Sequence, residues 1–143
     1  VANALVYDER FLNADLVLAD LPCSGIGIIG KKPDIKYRLE PEGISSLVRL
    51  QSKILDNAAR YVKLGGELIF STCTLNKREN EDNIFDFLNR HGEFSLIDLT
   101  KRLEKPVLER FETEELKKGY LKLIPGRDGC DGFFIAVFRR NND

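Results

Sequence analysis

Two short apolar runs, separated by one long amphipathic segment, constrain the fold of this chain more than any other feature. The runs are residues 15–20 (DLVLAD) and 67–72 (ELIFST), and each is typical of a strand that is buried on both faces. Between them, apolar residues recur at helical spacing from position 44 to position 62. Strand, helix and strand in this order form a crossover of two parallel strands, which is nearly always right-handed.

The rest of the pattern extends this unit into an α/β layer fold. We predict a loop at 21–30 and a helix at 41–63, with Pro41 in its first turn and Gly65-Gly66 as its stop. Further predicted elements are a helix at 78–90, a strand at 94–99, a partly helical segment at 101–119, and strands at 121–124 and 133–139. The sheet is therefore expected to be mostly parallel and to end in an antiparallel hairpin. Because few strands remain for a sheet buried on both faces, we expect its first half to be missing from this sequence.

Composition and cysteine use exclude several classes of protein. The net charge is −1, so a globally basic nucleic-acid binder is not suggested, and any RNA contact has to come from a local patch. The longest apolar runs are far too short to span a bilayer. Three widely spaced cysteines and no secretory leader favour a reducing cytoplasm over a disulfide scaffold. A single histidine and no Cys-x-x-Cys spacing argue against a metal site.

Two of the cysteines, Cys23 and Cys73, follow the carboxyl ends of the two predicted strands. Ligands of open parallel sheets bind at this edge, and neighbouring strands lie about 4.8 Å apart. We therefore expect both thiols to open into one crevice. Position alone leaves two interpretations open, which are a functional thiol pair and two buried cysteines that act as small apolar residues.

The residues around both cysteines favour the functional interpretation. The segments DLPCSG at 20–25 and STCT at 71–74 resemble the two signature motifs of the Sun (Fmu) family of RNA cytosine-5 methyltransferases. Similar segments also occur at 32–36 (KPDIK), 50–55, 79–81 (ENE) and 131–136 (DGFFIA). The resemblance covers nearly the whole chain, is weakest over 99–120, and is strongest to the bacterial members that act on small-subunit rRNA.

This resemblance implies a Rossmann-like fold that depends on S-adenosylmethionine, with residues 1–143 as the C-terminal part of the catalytic domain. The family's glycine-rich cofactor loop and N-terminal RNA-binding region have no counterpart here and are expected upstream of Val1. The implied reaction is methylation of carbon 5 of cytosine in rRNA. The cytosine has to be single-stranded or flipped out of a helix for this chemistry.

The resemblance also assigns roles to the two thiols. Cys73 is expected to add to carbon 6 of the cytosine, which makes carbon 5 nucleophilic, and Cys23 is expected to assist release of the product. An analogy with DNA cytosine-5 methyltransferases, in which the cysteine of a Pro-Cys pair attacks, keeps the opposite assignment open. In that alternative Cys23 is the nucleophile.

Residues that bind the cofactor and the RNA are expected on the same grounds. Asp20, Pro22 and Asn3 are expected at S-adenosylmethionine, with Asn3 standing where the family usually has aspartate. Four basic residues that follow the first motif are expected to contact RNA phosphates, namely Lys31, Lys32, Lys36 and Arg38. Without the resemblance, a solvated basic loop would be the simpler interpretation of these four residues.

A different class of function also fits the sequence. The chain could be a non-catalytic RNA-binding or assembly domain that retains the methyltransferase fold, and a natural loss of the cofactor loop would favour this alternative. DNA cytosine methylation is a third hypothesis, against which the TCT segment at 72–74 speaks.

Overall fold

The computed structural model describes residues 3–111 and 113–141, which form a five-stranded mixed sheet packed against helices. The strands are β1 (Ala14–Asp20), β2 (Val62–Thr72), β3 (Phe94–Leu96), β4 (Tyr120–Leu123) and β5 (Phe133–Arg140). The α-helices are α1 (Ile35–Arg38), α2 (Pro41–Ala59), α3 (Glu81–Arg90), α4 (Lys105–Leu108) and α5 (Thr113–Lys117). Short 3-10 turns lie at Glu9–Phe11, Ile26–Ile28 and Leu99–Lys101.

The order of strands across the sheet is β1-β2-β5-β3, and β4 also pairs with β5. β1 and β2 are parallel, whereas β5 is antiparallel to each of its neighbours β2, β3 and β4. Among the described strands, β1, β2, β3 and β4 therefore run in one direction and β5 runs against them. The predicted α/β fold and its terminal antiparallel hairpin are confirmed. The sheet is mixed because β5 inserts between β2 and β3.

Side chains of the sheet alternate between two apolar cores. The larger core contains the fully buried Phe70, Phe134 and Phe138 of the sheet, together with Phe87 of α3. Burial of each phenylalanine contributes about 1.5–3 kcal/mol to folding. A smaller cluster on the opposite face contains Leu99, Leu116 and Val137. This alternation of cores explains why β2 and β5 are apolar along most of their length.

β1 lies at an edge of the described sheet, and one of its faces is uncovered. Val17 and Ala19 pack into the larger core. Leu16 and Leu18 point to the other face and are 54% and 65% exposed. Parallel strands are usually covered on both faces, so these two leucines form an apolar patch that the described residues leave open to solvent.

The predicted end of the long helix is wrong. α2 ends at Ala59, β2 begins at Val62, and Gly65 and Gly66 lie within the strand instead of stopping the helix. Gly65 has a φ of 72°, and the β1–β2 register shifts between Ala14 and Leu16. Glycine adopts this left-handed conformation without steric cost, so the glycine pair serves an irregularity of the sheet. Its position after a helical pattern resembles a helix stop.

Two other predicted elements are shorter than expected. α3 begins at Glu81 because the preceding residues form a turn, in which the Asn76 side-chain oxygen accepts from the backbone N–H of Arg78 at 3.0 Å. β3 ends at Leu96 because Asp98 caps the following 3-10 turn. The predicted partly helical segment at 101–119 contains α4 and α5. Local hydrogen bonds of asparagine and aspartate thus set these boundaries.

Candidate active site

The two cysteines from the signature motifs are in direct contact at the carboxyl ends of β1 and β2. Their Sγ atoms lie 3.2 Å apart, and both residues are half-buried. The parallel register pairs Asp20 with Ser71, which brings the two strand ends side by side. The thiols therefore open into one crevice, as their positions in the sequence predicted.

The environment of the pair differs between the two sulfurs. Burial raises the pKa of the Cys23 thiol, and its hydrogen bond with Cys73 raises this pKa further. Cys23 therefore keeps its proton at neutral pH and can donate its S–H to the Cys73 sulfur. A thiol proton 3.2 Å from the Cys73 sulfur can stabilise negative charge there, and a sulfur that attacks has to carry such charge.

A fully buried carboxylate, that of Glu79, joins the segments that carry the two cysteines. Glu79 Oε1 accepts hydrogen bonds from the backbone N–H of Ser24 at 2.9 Å and from Gln51 Nε2 at 3.0 Å. Glu79 Oε2 accepts from Ser24 Oγ at 2.5 Å and from Thr74 Oγ1 at 3.5 Å. Ser24 and Thr74 directly follow the two cysteines in the sequence. One side chain thus holds both motifs.

Asn80 fixes the residues on either side of Cys73. Its Oδ1 accepts from Thr72 Oγ1 at 2.7 Å, and its Nδ2 donates to the Thr74 carbonyl at 2.9 Å. Asn80 and Thr72 are fully buried, so neither side chain exchanges these bonds with water. The segment 79–81, which resembles the family in sequence, therefore holds the backbone around Cys73 through buried hydrogen bonds.

Gln51 and Asn83, for which the sequence predicted no role in the site, complete this buried network. Gln51 Nε2 also donates to the Pro22 carbonyl at 2.9 Å, and its Oε1 accepts from Asn83 Nδ2 at 3.1 Å. A signal for Gln51 was present, because it lies one helical turn from both Leu47 and Leu55 on the apolar face of α2. A polar residue on such a face indicates a buried hydrogen bond.

Gly27 brings the loop after β1 against the end of β2. Its backbone N–H donates to the Cys73 carbonyl at 3.0 Å, and its carbonyl accepts from the Gly132 N–H at 2.8 Å. A Cβ atom at position 27 would lie 2.3 Å from the Gly132 oxygen and 2.7 Å from the Cys73 oxygen. Both neighbours are backbone atoms, so only glycine fits at this position.

A cavity of about 800 Å³ opens beside the thiols. Both cysteines lie on its wall. The other residues that line the cavity include apolar Ile28, Ile35, Ile44 and Leu47 and charged Lys32, Asp34, Arg38 and Glu40. Its size is in the range of small-ligand sites, and its wall combines apolar side chains with exposed charged ones.

The basic residues predicted to bind RNA are all exposed, but only two of them reach the cavity. Lys32 and Arg38 line it together with the cysteines. Lys31 forms an ion pair with Asp131 at 2.6 Å, and Lys36 lies on α1 outside the cavity wall. The structure thus brings Lys32 and Arg38 to the thiol pair and leaves Lys31 and Lys36 beside it.

The residues predicted to bind the cofactor are divided between two ends of the sheet. Asp20 and Pro22 are exposed beside the cysteines, and Asp20 Oδ1 accepts from a serine hydroxyl of β2 at 2.8 Å. Near the end of α2, Asn57 donates to the carbonyl of the residue after Asn3 at 2.8 Å. This end of α2 lies opposite the cavity, so the structure does not bring Asn3 to Asp20. The contact of Asn3 with a cofactor stays a prediction.

Neither a metal-binding cluster nor a membrane-spanning helix lies within residues 3–111 and 113–141. In these ranges, no three or more His, Cys, Asp and Glu side chains are grouped so that they could hold a metal ion. In the same part of the chain, every helix is too short or too polar to cross a bilayer.

Known proteins resemble this chain along almost all of its length. Residues 3–139 match the model of the family described as 16S rRNA methyltransferase RsmB/F. The probable ribosomal RNA small subunit methyltransferase B of Bacillus subtilis is 39% identical over 140 residues, which are 97% of this chain and 30% of that protein. The ribosomal RNA small subunit methyltransferase B of Thermus thermophilus is 37% identical over 129 residues, 90% of this chain and 30% of the relative.

Solved structures share the fold. A methyltransferase homolog protein from Pyrococcus horikoshii superposes with a TM-score of 0.73 at 29% identity, over 97% of this chain and 43% of that one. The structure of NSun6 from Pyrococcus horikoshii with SFG has a TM-score of 0.75 at 23% identity, over 99% of this chain and 34% of its own.

The matched region is a part of its relatives, and it contains both cysteine motifs. The chain spans about 30% of the length of the two curated relatives. Both cysteine motifs and the buried network beneath them lie inside the matched residues 3–139. The chain belongs to the 16S rRNA methyltransferase RsmB/F family.

Proposed function

We propose that this chain carries the catalytic cysteines of an enzyme that uses S-adenosylmethionine to methylate carbon 5 of cytosine in small-subunit rRNA. The observation that carries this proposal is the 3.2 Å contact between the Cys23 and Cys73 sulfurs at the carboxyl ends of two parallel strands. The names of the relatives, which are rRNA small subunit methyltransferases, support the substrate class.

The proposed chemistry needs a thiolate because carbon 5 of cytosine is a poor nucleophile. Cys73 Sγ forms a bond to carbon 6, and the electron pair of the C5=C6 bond makes carbon 5 nucleophilic. Once carbon 5 carries the methyl group, its proton passes to water. The C5=C6 bond then re-forms as the bond between sulfur and carbon 6 breaks, which returns the thiolate. Cys23, which burial keeps protonated, assists this release.

S-adenosylmethionine, when bound, supplies the methyl group. The exposed carboxylate of Asp20 at the end of β1 fits the positively charged methionine end of this cofactor, since one of its oxygens already has a fixed partner in Ser71. Pro22 shapes the backbone between Asp20 and Cys23. These residues account for one end of the cofactor, and Asn3 stays assigned to the other end by resemblance alone.

We also propose that residues 1–143 are the C-terminal part of a catalytic domain. The curated relatives are more than three times as long as the matched region, since it covers 30% of each. An upstream half of the domain would supply the glycine-rich loop and would cover the exposed Leu16 and Leu18. A protein with this substrate is expected in the cytoplasm.

The product of the reaction tests the proposed function. The chain is joined to the upstream part of a relative and incubated with transcribed small-subunit rRNA and methyl-labelled S-adenosylmethionine. We expect the label in 5-methylcytidine after digestion of the RNA to nucleosides. Label in another nucleoside, or a preference for DNA, would contradict the proposed specificity. Binding of rRNA without any transfer would favour a non-catalytic RNA-binding domain.

Lys32 offers a test of the proposed RNA surface, since it lies on the cavity wall and is exposed. Lys32→Ala is expected to weaken RNA binding severalfold and to lower the slope of log K against log salt by about one, because one phosphate contact is lost. Fluorescence anisotropy at several salt concentrations measures both quantities. Lys105→Ala removes an exposed lysine of α4 and serves as the matched control. Equal losses in the two variants would contradict a specific role for Lys32.

A further inference from the structure

The buried carboxylate of Glu79 has no part in the proposed chemistry, and no charged side chain of residues 3–111 and 113–141 pairs with it. Its side chain is fully buried, and its hydrogen-bond donors among the described residues are Ser24, Gln51 and Thr74, which are all uncharged. A buried charge is costly unless hydrogen bonds replace its water. Each Glu79 oxygen accepts two such bonds, so protein donors replace the water that a buried carboxylate would otherwise need.

The donors of Glu79 are divided between the two motifs. Ser24 donates with its backbone and its hydroxyl, and Thr74 donates with its hydroxyl. The two hydroxyl oxygens also lie 2.8 Å apart. Because one residue directly follows Cys23 and the other directly follows Cys73, the distance between the two cysteines depends on the distance between these residues.

The backbone alone holds the cysteine segments less directly. The β1–β2 ladder ends at the pair Asp20 and Ser71, and the next backbone bond joins the Leu21 N–H to the Ser71 carbonyl at 2.9 Å. Beyond that bond, the first motif bends away into its loop, and it returns only at Gly27. Between these points, the residues that follow the two thiols are connected by the Glu79 side chain, which accepts from both, and by the direct contact of their own hydroxyls.

We propose that Glu79 is a positioning residue that sets the contact between the Cys23 and Cys73 thiols by holding the residue after each cysteine. The inference rests on the proposed roles of the two thiols, but it concerns their separation, which can be measured without RNA or cofactor. Glu79 touches neither sulfur and acts only through Ser24 and Thr74.

The direction of the hydrogen bonds makes glutamine a conservative replacement. The Ser24 N–H and Gln51 Nε2 need an acceptor, and the oxygen of a glutamine amide can take the place of Oε1. The two partners of Oε2 are hydroxyls, which can rotate and accept from the amide NH₂. Glu79→Gln therefore keeps all four bonds, whereas Glu79→Leu, of similar size, keeps none.

The rate at which one dibromobimane molecule bridges the two thiols reports their separation. The assay uses this chain with Cys130→Ser, so that the exposed third thiol does not react. We expect Glu79→Gln to bridge at a rate within about threefold of the parent, and Glu79→Leu to bridge at least about tenfold more slowly, because small displacements of reacting atoms lower rates steeply. Circular dichroism confirms that each variant is folded, and monobromobimane measures the reactivity of the single thiols.

A second buried carboxylate provides the matched control. Asp128 is 3% exposed, and its side chain bonds to the Ile124 N–H and to Arg127 in the turn between β4 and β5. Asp128→Ala is expected to lower stability without changing the bridging rate. If Glu79→Leu does not fold, Ser24→Ala decides the question, since it removes one Glu79 contact and is expected to slow bridging about threefold.

Two outcomes would overturn the proposal. The first is a folded Glu79→Leu or Ser24→Ala variant that bridges at the parental rate. The second is a Glu79→Gln variant as slow as Glu79→Leu, which would show that charge and not hydrogen-bonded geometry matters. An inactive enzyme whose thiols still bridge rapidly would instead argue against the proposed function and leave the positioning role intact.

Discussion

Cys73→Ala is expected to abolish the covalent RNA–protein adduct and to lower methyl transfer by about 10⁴-fold or more, the scale of removing a nucleophile. Cys23→Ala is expected to accumulate the adduct instead. The reason lies in the thiol pair, in which burial raises the pKa of Cys23 and keeps its proton in place, 3.2 Å from the Cys73 sulfur. Loss of Cys23 then leaves bond formation possible and slows the step that releases the RNA.

The measurement is a denaturing gel of the enzyme after reaction with cognate RNA and cofactor, with the upstream part of the domain restored. Cys130→Ser serves as the control. Because Cys130 is exposed, this substitution is expected to leave both adduct and turnover unchanged. Adduct in Cys73→Ala and none in Cys23→Ala would reverse the assignment and support the Pro-Cys analogy. If no variant forms an adduct although RNA and cofactor bind, the covalent mechanism itself is wrong.

Gly27→Ala is expected to lower the free energy of unfolding by about 1–3 kcal/mol, the usual cost of an added methyl group in a closely packed site. The new Cβ would lie 2.3 Å from the Gly132 oxygen and 2.7 Å from the Cys73 oxygen. Backbone on both sides cannot rotate away as a side chain can. Relief therefore requires the loop to move from the end of β2, which also separates the thiols and is expected to reduce methyl transfer.

Gly30→Ala is the matched control, because it lies in the same loop and a Cβ atom at position 30 would meet no other atom within 4 Å. This variant is expected to stay within about 1 kcal/mol of the parent, since alanine loses less conformational entropy on folding than glycine does. Urea denaturation of this chain measures the free energy of unfolding of each variant. The rate of thiol bridging reports whether Cys23 and Cys73 stay in contact. Equal stability of the two variants would show that the loop can move to make room for the methyl group and that close packing at Gly27 is not required.

The cysteine variants test which sulfur forms the bond, and the Gly27 variant tests whether the loop has to be pressed against β2. The Gly27 N–H binds the Cys73 carbonyl, so the position of the loop is coupled to the backbone that carries one of the two sulfurs.

The pattern of the sequence predicted the parts of the fold that depend on burial. Apolar runs marked β1, β2 and β5. β2 and β5 lie between two apolar cores and so carry apolar side chains on both faces, whereas the described residues cover only one face of β1. Helix boundaries were predicted less well, and the Gly65-Gly66 pair was assigned to a helix stop. Glycine serves a helix end and a sheet irregularity through the same left-handed conformation. Only the pairing of β2 with β1 distinguishes the two.

The sequence by itself determined the α/β fold, the two cysteine motifs and their place at neighbouring strand ends, since these follow from local periodicity and from the edge rule of parallel sheets. Only the tertiary structure decided which side chains hold the motifs together. Gln51, Glu79 and Asn83 come from separate segments, and their hydrogen bonds exist only once α2 and α3 pack against the sheet. Local periodicity reports which side of a helix is buried, but the partner of a buried polar group is set by the packing of distant segments.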